Sequence, residues 1–347
     1  MSEQAPAPAP ATTVVEPSEK PSGGIAQRLL SGAAGRNLGL IIALLVLVAV
    51  GWITAGQTFM NVDNMLTIIR FASIIGVISI GMTFVITAGG IDLSVGSVMG
   101  LASVVASLSW IQSGADQSSW LLMVVVAVAV GGLAGLINGL VIAYGNVVPF
   151  MATLAMLVAA RGLAELLSNR QTQIVTVTGF LDFFRGDFLG IPWLIWIFVL
   201  AAVAGWFLLG RTTFGRRTVA IGGNFEATRL AGIRVKRHLV SLYVLAGLAA
   251  GIAAVMMLGR TTAGTSTHGL LYELDAIAAV VVGGTLLVGG RGTIVGTVLG
   301  VLIFATLTNV FTQNNLSTSV QAIVKGVIIV VAVLLQQRFA SRPGRSS

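Results

Sequence analysis

The stretch RTTFGRRTVAIGGNFEATRLAGIRVKRH, running from Arg211 to His238, decides how the rest of the chain is read. It lies between two hydrophobic spans and sets Arg211, Arg216, Arg217, Arg229, Arg234, Lys236 and Arg237 against a single acid, Glu226. In a membrane protein a loop this basic is held on the cytoplasmic side. Asn224 to Leu230 reads as a short helix, with Asn224 as its N-cap and Glu226 in its first turn. Arg229 stands near its end and Gly232 where a C-terminal cap belongs. An ordinary topogenic loop needs only the arginines. The glycine, asparagine and glutamate punctuation adds a capped element held out from the membrane, suited to docking a cytoplasmic partner.

The composition places both flanks of this stretch in lipid. Of 347 residues, 56% are hydrophobic and only 9% are charged, too few charges to cover a soluble domain of that size. The 43 glycines fit, because small residues let transmembrane helices approach closely. The net charge of +8 does not point to nucleic acid, since the basic residues flank spans and carry few aromatics among them. Cysteine is absent, which excludes disulfides, thiol catalysis and thiolate metal sites.

Working outward, residues 1–36 are polar and rich in Ala and Pro (APAPAPATT, EPSEKPSGG) and read as a disordered cytoplasmic tail. They lack the pattern of a cleavable signal. Ten apolar spans follow at about 38–55, 64–87, 94–111, 120–143, 148–168, 192–210, 239–258, 275–289, 294–312 and 319–336. The expected fold is an all-α polytopic bundle over 37–338, followed by a cytoplasmic tail at 339–347. The eighth span is short and glycine-ended, so a broken or re-entrant helix is also open. Starting inside, this count puts both termini and the 211–238 loop in the cytoplasm. Arg338, Arg342 and Arg345 agree, and the outer loops then hold Asp116, Asp182 and Asp187 against Arg170 and Arg185.

GGIDLSVGSVMG from Gly89 is echoed by GGRGTIVGTVLG from Gly289, with identity at Gly89, Gly90, Val95, Gly96, Val98 and Gly100. Internal repeats with a pathway between the halves are common in transporters. Asp92 and Ser94, next to the glycine pair, can cap the helix that follows, and Gly89, Gly90, Asp92 and Ser94 become candidate pathway or gate residues. One carboxylate without His or a second acid nearby makes a poor metal or proton site.

Arg161 and Glu165 share a helix face at i, i+4 and can pair. Lys325 stands alone in the last span, and Glu273 and Asp275 sit where they can cap the eighth span or meet an external partner. Asn138, Asn309 and Gln321 lie within spans, where they suit helix–helix hydrogen bonds or the lining of a path. His238 and His268 have no Ser/His/acid or His-x-x-x-His context, so no catalytic set is present. The chain's lysines are Lys20, Lys236 and Lys325, and none precedes Ser or Thr, so a G-x-x-x-x-G-K-[ST] phosphate loop is impossible. If transport here uses nucleotide energy, a separate subunit must bind and hydrolyse the ATP, and no cofactor is expected on this chain.

GMTFVITAGGIDLSVGSVMGL (81–101), GRRTVAIGGNFEATRLAGIRV (215–235) and YELDAIAAVVVGGTLLVGGRGTIVGTVLG (272–300) resemble the membrane permease subunits of bacterial ABC importers for ribose, xylose and related monosaccharides. The similarity runs over nearly the whole chain from about residue 38. It implies a pair of permease subunits, identical or paralogous, in the bacterial cytoplasmic membrane. It also implies a cytoplasmic ABC ATPase and an extracytoplasmic sugar-binding protein as partners. In that family the stretch matching Ala220–Gly232 engages the ATPase, a role carried onto Gly222, Gly223, Asn224, Glu226, Arg229 and Gly232. A permease for branched-chain amino acids or nucleosides is the near alternative, and a gradient-driven secondary transporter the distant one.

Overall fold

The computed structural model describes residues 33–340. Most of both expected tails therefore lies outside the described residues. The chain divides into residues 1–36 and a second unit, residues 37–347, which carries everything below apart from the first turn of α1.

The helices are α1 (Ala33–Met60), α2 (Val62–Thr87), α3 (Val95–Ala106), α4 (Ser109–Gln117), α5 (Leu121–Ala143) and α6 (Pro149–Ser168). Then come α7 (Thr178–Arg185), α8 (Trp193–Arg211), α9 (Thr213–Gly223), α10 (Phe225–Leu230) and α11 (Val235–Thr261). The last three are α12 (Tyr272–Val282), α13 (Ile294–Gln313) and α14 (Thr318–Ala340). Two pairs of two-residue strands interrupt them. β1 (Gln173–Ile174) joins β4 (Ala263–Gly264), and β2 (Asp187–Phe188) joins β3 (Ile191–Pro192), both antiparallel.

Among the described residues, seven helices are long and apolar enough to cross a membrane, or eight if α3 and α4 count as one span. That corrects the expected ten, for local reasons. The third span breaks at Ser107–Leu108, where α3 and α4 meet at 59°. The eighth ends at Val282, because the next residues are Gly283 and Gly284, the latter with φ +91°. The last lies on the 23-residue helix α14, of whose described residues Thr318–Ile328 form an apolar stretch. The all-α polytopic class stands.

The helix α2 is 83% buried along its span and α1 only 6%, so α2 is central and α1 peripheral. The tightest pairing is α5 on α11. Gly131, Gly135 and Gly139 on α5 face Gly247, Gly251 and the Tyr243–Val244 and Val240 backbone of α11 with no room for side chains. Glycines at this four-residue spacing permit backbone contact where the hydrophobic effect does not drive helices together. At one end of the bundle Trp120 stacks on Phe183, 4.9 Å between centroids, and Phe183 stacks on Trp193 at 4.8 Å. Such aromatics suit a membrane–water interface.

Candidate functional site

The basic stretch folds as its local chemistry requires. Thr212 starts α9, its hydroxyl accepting the Gly215 amide, and α9 runs to Gly223. Asn224 breaks the path with extended backbone, and its Oδ1 accepts the Ala227 amide at 2.9 Å to start α10. At the other end Gly232 has φ +80°, and its amide donates to the Arg229 carbonyl at 3.0 Å. Arg229 and Glu226 pair across one turn at 2.8 Å, both well exposed. Phe225 and Leu230 are exposed too, Leu230 at 79%. The sequence places a capped helix here, and the structure adds that it presents two apolar side chains beside an ion pair.

Gly89 closes α2. Its amide donates to the Ile86 carbonyl and that of Gly90 to the Val85 carbonyl, the bond pair that ends a helix on a left-handed residue. Gly89 has φ +83°, a conformation costly for a side chain. Asp92 is buried, and its Oδ1 accepts the Ser94 amide at 2.9 Å and the Ser94 hydroxyl at 2.6 Å. Ser94 in turn accepts from Asn138 Nδ2 of α5 at 2.9 Å. Asp92 therefore holds the residue at the head of α3. No side chain accepts a first-turn amide there.

These two groups of residues meet at one point. Gly222, at the end of α9, abuts the Thr87 carbonyl and the Gly290 amide. Gly289 lies against Gly89 and Gly222, so the two echoed glycine pairs touch each other and the basic stretch. A side chain at Gly223 would face open space, and Asn224, Glu226 and Arg229 are exposed. Beside it is a cavity of about 360 Å³, whose lining includes Gly89, Gly90, Asn146, Phe225, Lys236 and Tyr243. The Tyr243 hydroxyl, buried against Gly90, makes no hydrogen bond among the described residues.

Elsewhere the charges find partners the sequence did not name. Lys325 is not alone, since its Nζ stands 3.2 Å from both oxygens of Asp275, which is thus an ion-pair partner. Arg161 turns from Glu165 and donates to the carbonyls of Ser266 and His268, while Glu165 pairs with Arg170 at 3.0 Å. Glu273 is buried, and its Oε2 has no hydrogen-bond partner among the described residues. Asn309 exchanges amide hydrogen bonds with Asn64 and so joins two helices, whereas Gln321 donates to the Leu316 carbonyl in the connection just before its own helix. Thr87, Gly290 and Tyr243 had no sequence signal beyond the glycine echo, because their contacts join distant segments. No cluster of three metal-ligating side chains occurs among the described residues.

Comparison with known proteins finds permeases. The ribose import permease protein RbsC of Bacillus subtilis (strain 168) is 45% identical over 87% of this chain and 93% of its own length. RbsC of Escherichia coli (strain K12) is 40% identical over 86% and 92%. The xylose transport system permease protein XylH of the same strain is 32% identical over 87% and 93%. No solved structure matches. The family described as "branched-chain amino acid transport system / permease component" matches residues 64–333, and the chain belongs to that permease family.

Proposed function

We propose that this chain is the membrane-spanning permease subunit of an ATP-driven importer that carries a monosaccharide, of the ribose, xylose or galactose kind, across the bacterial cytoplasmic membrane. The observation that carries this reading is the capped, exposed helix α10 on a chain with no nucleotide-binding loop of its own. An engine must be supplied by an ATPase subunit, and α10 with Phe225 and Leu230 is the surface offered to it. The relatives whose printed names are ribose, arabinose, galactose and xylose permeases support a sugar over an amino acid or nucleoside.

In this reading the basic end, with α9, α10 and the 283–293 connection, faces the cytoplasm, as do both termini. An extracytoplasmic binding protein delivers sugar to the opposite end, and a second permease, identical or paralogous, completes the pathway. ATP binding and hydrolysis drive the cycle, and each nucleotide state shifts the permease by the difference in its affinity for the two conformations.

The test is Glu226→Lys in the reconstituted complex with D-ribose as substrate. An exposed pair such as Glu226–Arg229 contributes only about 0.5 kcal/mol, so insertion and folding persist. Sugar-stimulated ATP hydrolysis is expected to disappear. Hydrolysis at the parental rate would remove the docking assignment.

A further inference from the structure

The two glycines that end α9 both lie near Gly290, but their side-chain directions differ. Gly223 has open space where a side chain would project, whereas Gly222 is pressed backbone to backbone against Thr87 and Gly290. The Gly290 amide donates to the Thr87 carbonyl at 2.9 Å. A Cβ on Gly289 would come within 2.8 Å of the Gly89 amide nitrogen, and one on Gly292 would overlap the Thr87 hydroxyl. About one turn further into α2, the Thr83 and Thr297 hydroxyls meet at 2.8 Å and tie α2 to α13. At the junction itself, three segments touch with almost no side chain between them.

This contact differs in kind from ordinary packing. Side chains absorb a small displacement by changing rotamer, whereas close-packed backbone transmits it. Motion of α9 and α10 therefore reaches the end of α2 and the 283–293 connection together. Those two segments hold the echoed sequences, and each opens a helix, α3 at Val95 and α13 at Ile294.

Resting on the reading of the chain as an ATPase-driven permease, we propose that the Gly222–Thr87–Gly290 junction is the point where force from the ATPase enters the membrane bundle. Gly222, Gly290 and Gly292 are then positioning residues for transport. They keep α9 seated on both halves of the echo, and none of them touches the sugar.

The complex, reconstituted in vesicles with its ATPase and binding protein, is assayed for D-ribose taken up per ATP hydrolysed. Gly222→Ala and Gly292→Ala are each expected to lower that ratio by about tenfold while the subunits still co-purify. Adding Thr87→Ala to Gly292→Ala removes the hydroxyl that the new methyl would strike, and recovers the ratio to within about threefold of the parent. An unfolding midpoint of Gly292→Ala close to the parent's separates lost coupling from a fold defect. Gly210→Ala, at an open position near the end of α8, transports at the parental ratio. A parental ratio in Gly222→Ala, or a Gly292→Ala defect that Thr87→Ala leaves in place, would overturn the proposal. A parent complex in which uptake requires no ATP would instead overturn the importer reading beneath it.

Discussion

Lys325 Nζ is equidistant, at 3.2 Å, from both carboxylate oxygens of Asp275, and this pair clasps α14 to the first turn of α12. The side chains are 17% and 15% exposed, so neither charge can turn to bulk water without moving a helix. Removing one member of a buried pair strands the other. Lys325→Met is therefore expected to cost about 3 kcal/mol. The double variant Lys325→Met/Asp275→Asn should recover most of that loss. Unfolding midpoints in detergent measure both, and a single variant as stable as the parent would show the pair to be dispensable.

Arg161 serves the connection between α11 and α12. Its guanidinium holds the Ser266 and His268 carbonyls, which lie 105 and 107 positions away. Arg161→Ala leaves these acceptors unpaired, at a cost of about 2–3 kcal/mol. The 262–271 connection should then exchange its amide hydrogens faster while α5 and α11 stay protected. Unchanged exchange in that connection would show that the backbone alone holds it.

The same connection carries a pH dependence. His268 Nδ1 meets the Ser103 hydroxyl at 3.1 Å, and Nε2 stands 3.4 Å from that of Thr261. Burial, reinforced by the Arg161 guanidinium, lowers the His268 pKa from 6.5 to about 4. A lowered folded pKa means that the unfolded chain takes up the proton first as pH falls. The stability contributed by neutral His268 is complete above pH 6.5 and is lost as pH falls toward 4. His268→Gln should flatten the decline of the unfolding midpoint across this window. An equally steep decline in the variant would assign the dependence to other groups.

Asn224 carries the start of α10 through one side-chain bond. Asn224→Ala is expected to destabilise that helix by about 1 kcal/mol and leave the spans untouched. A six-residue helix has little to spare, so affinity for the ATPase should fall several-fold. Asn224→Asp, which keeps the acceptor, should retain it. Equal binding by both variants would detach the cap from docking.

Features set by neighbouring residues are legible in the sequence. The α2 and α5 ends fall at 87 and 143, as the apolar runs indicate, and α10 carries the cap and terminal glycine that its residues prescribe. The break in the third span left no such mark, because a continuous apolar run looks alike whether its helix is straight or bent, whereas the short, glycine-ended eighth left a broken helix open. Gly283–Gly284 was the available clue in the eighth.

The sequence by itself determined that this chain lives in lipid, that its spans are helical, and that one basic, glycine-punctuated segment stands apart from them. Each of these follows from composition or from residues a few positions apart. Only the tertiary structure decided that Lys325 belongs to Asp275, that Arg161 forsakes Glu165 for a distant loop, and that Gly222 lies where the two echoed segments meet. Those choices join positions 50 or more apart, and no periodicity encodes a partner at that distance. The geometry of packed helices selects it, because a buried charge or a bare backbone must take whichever group the fold brings alongside.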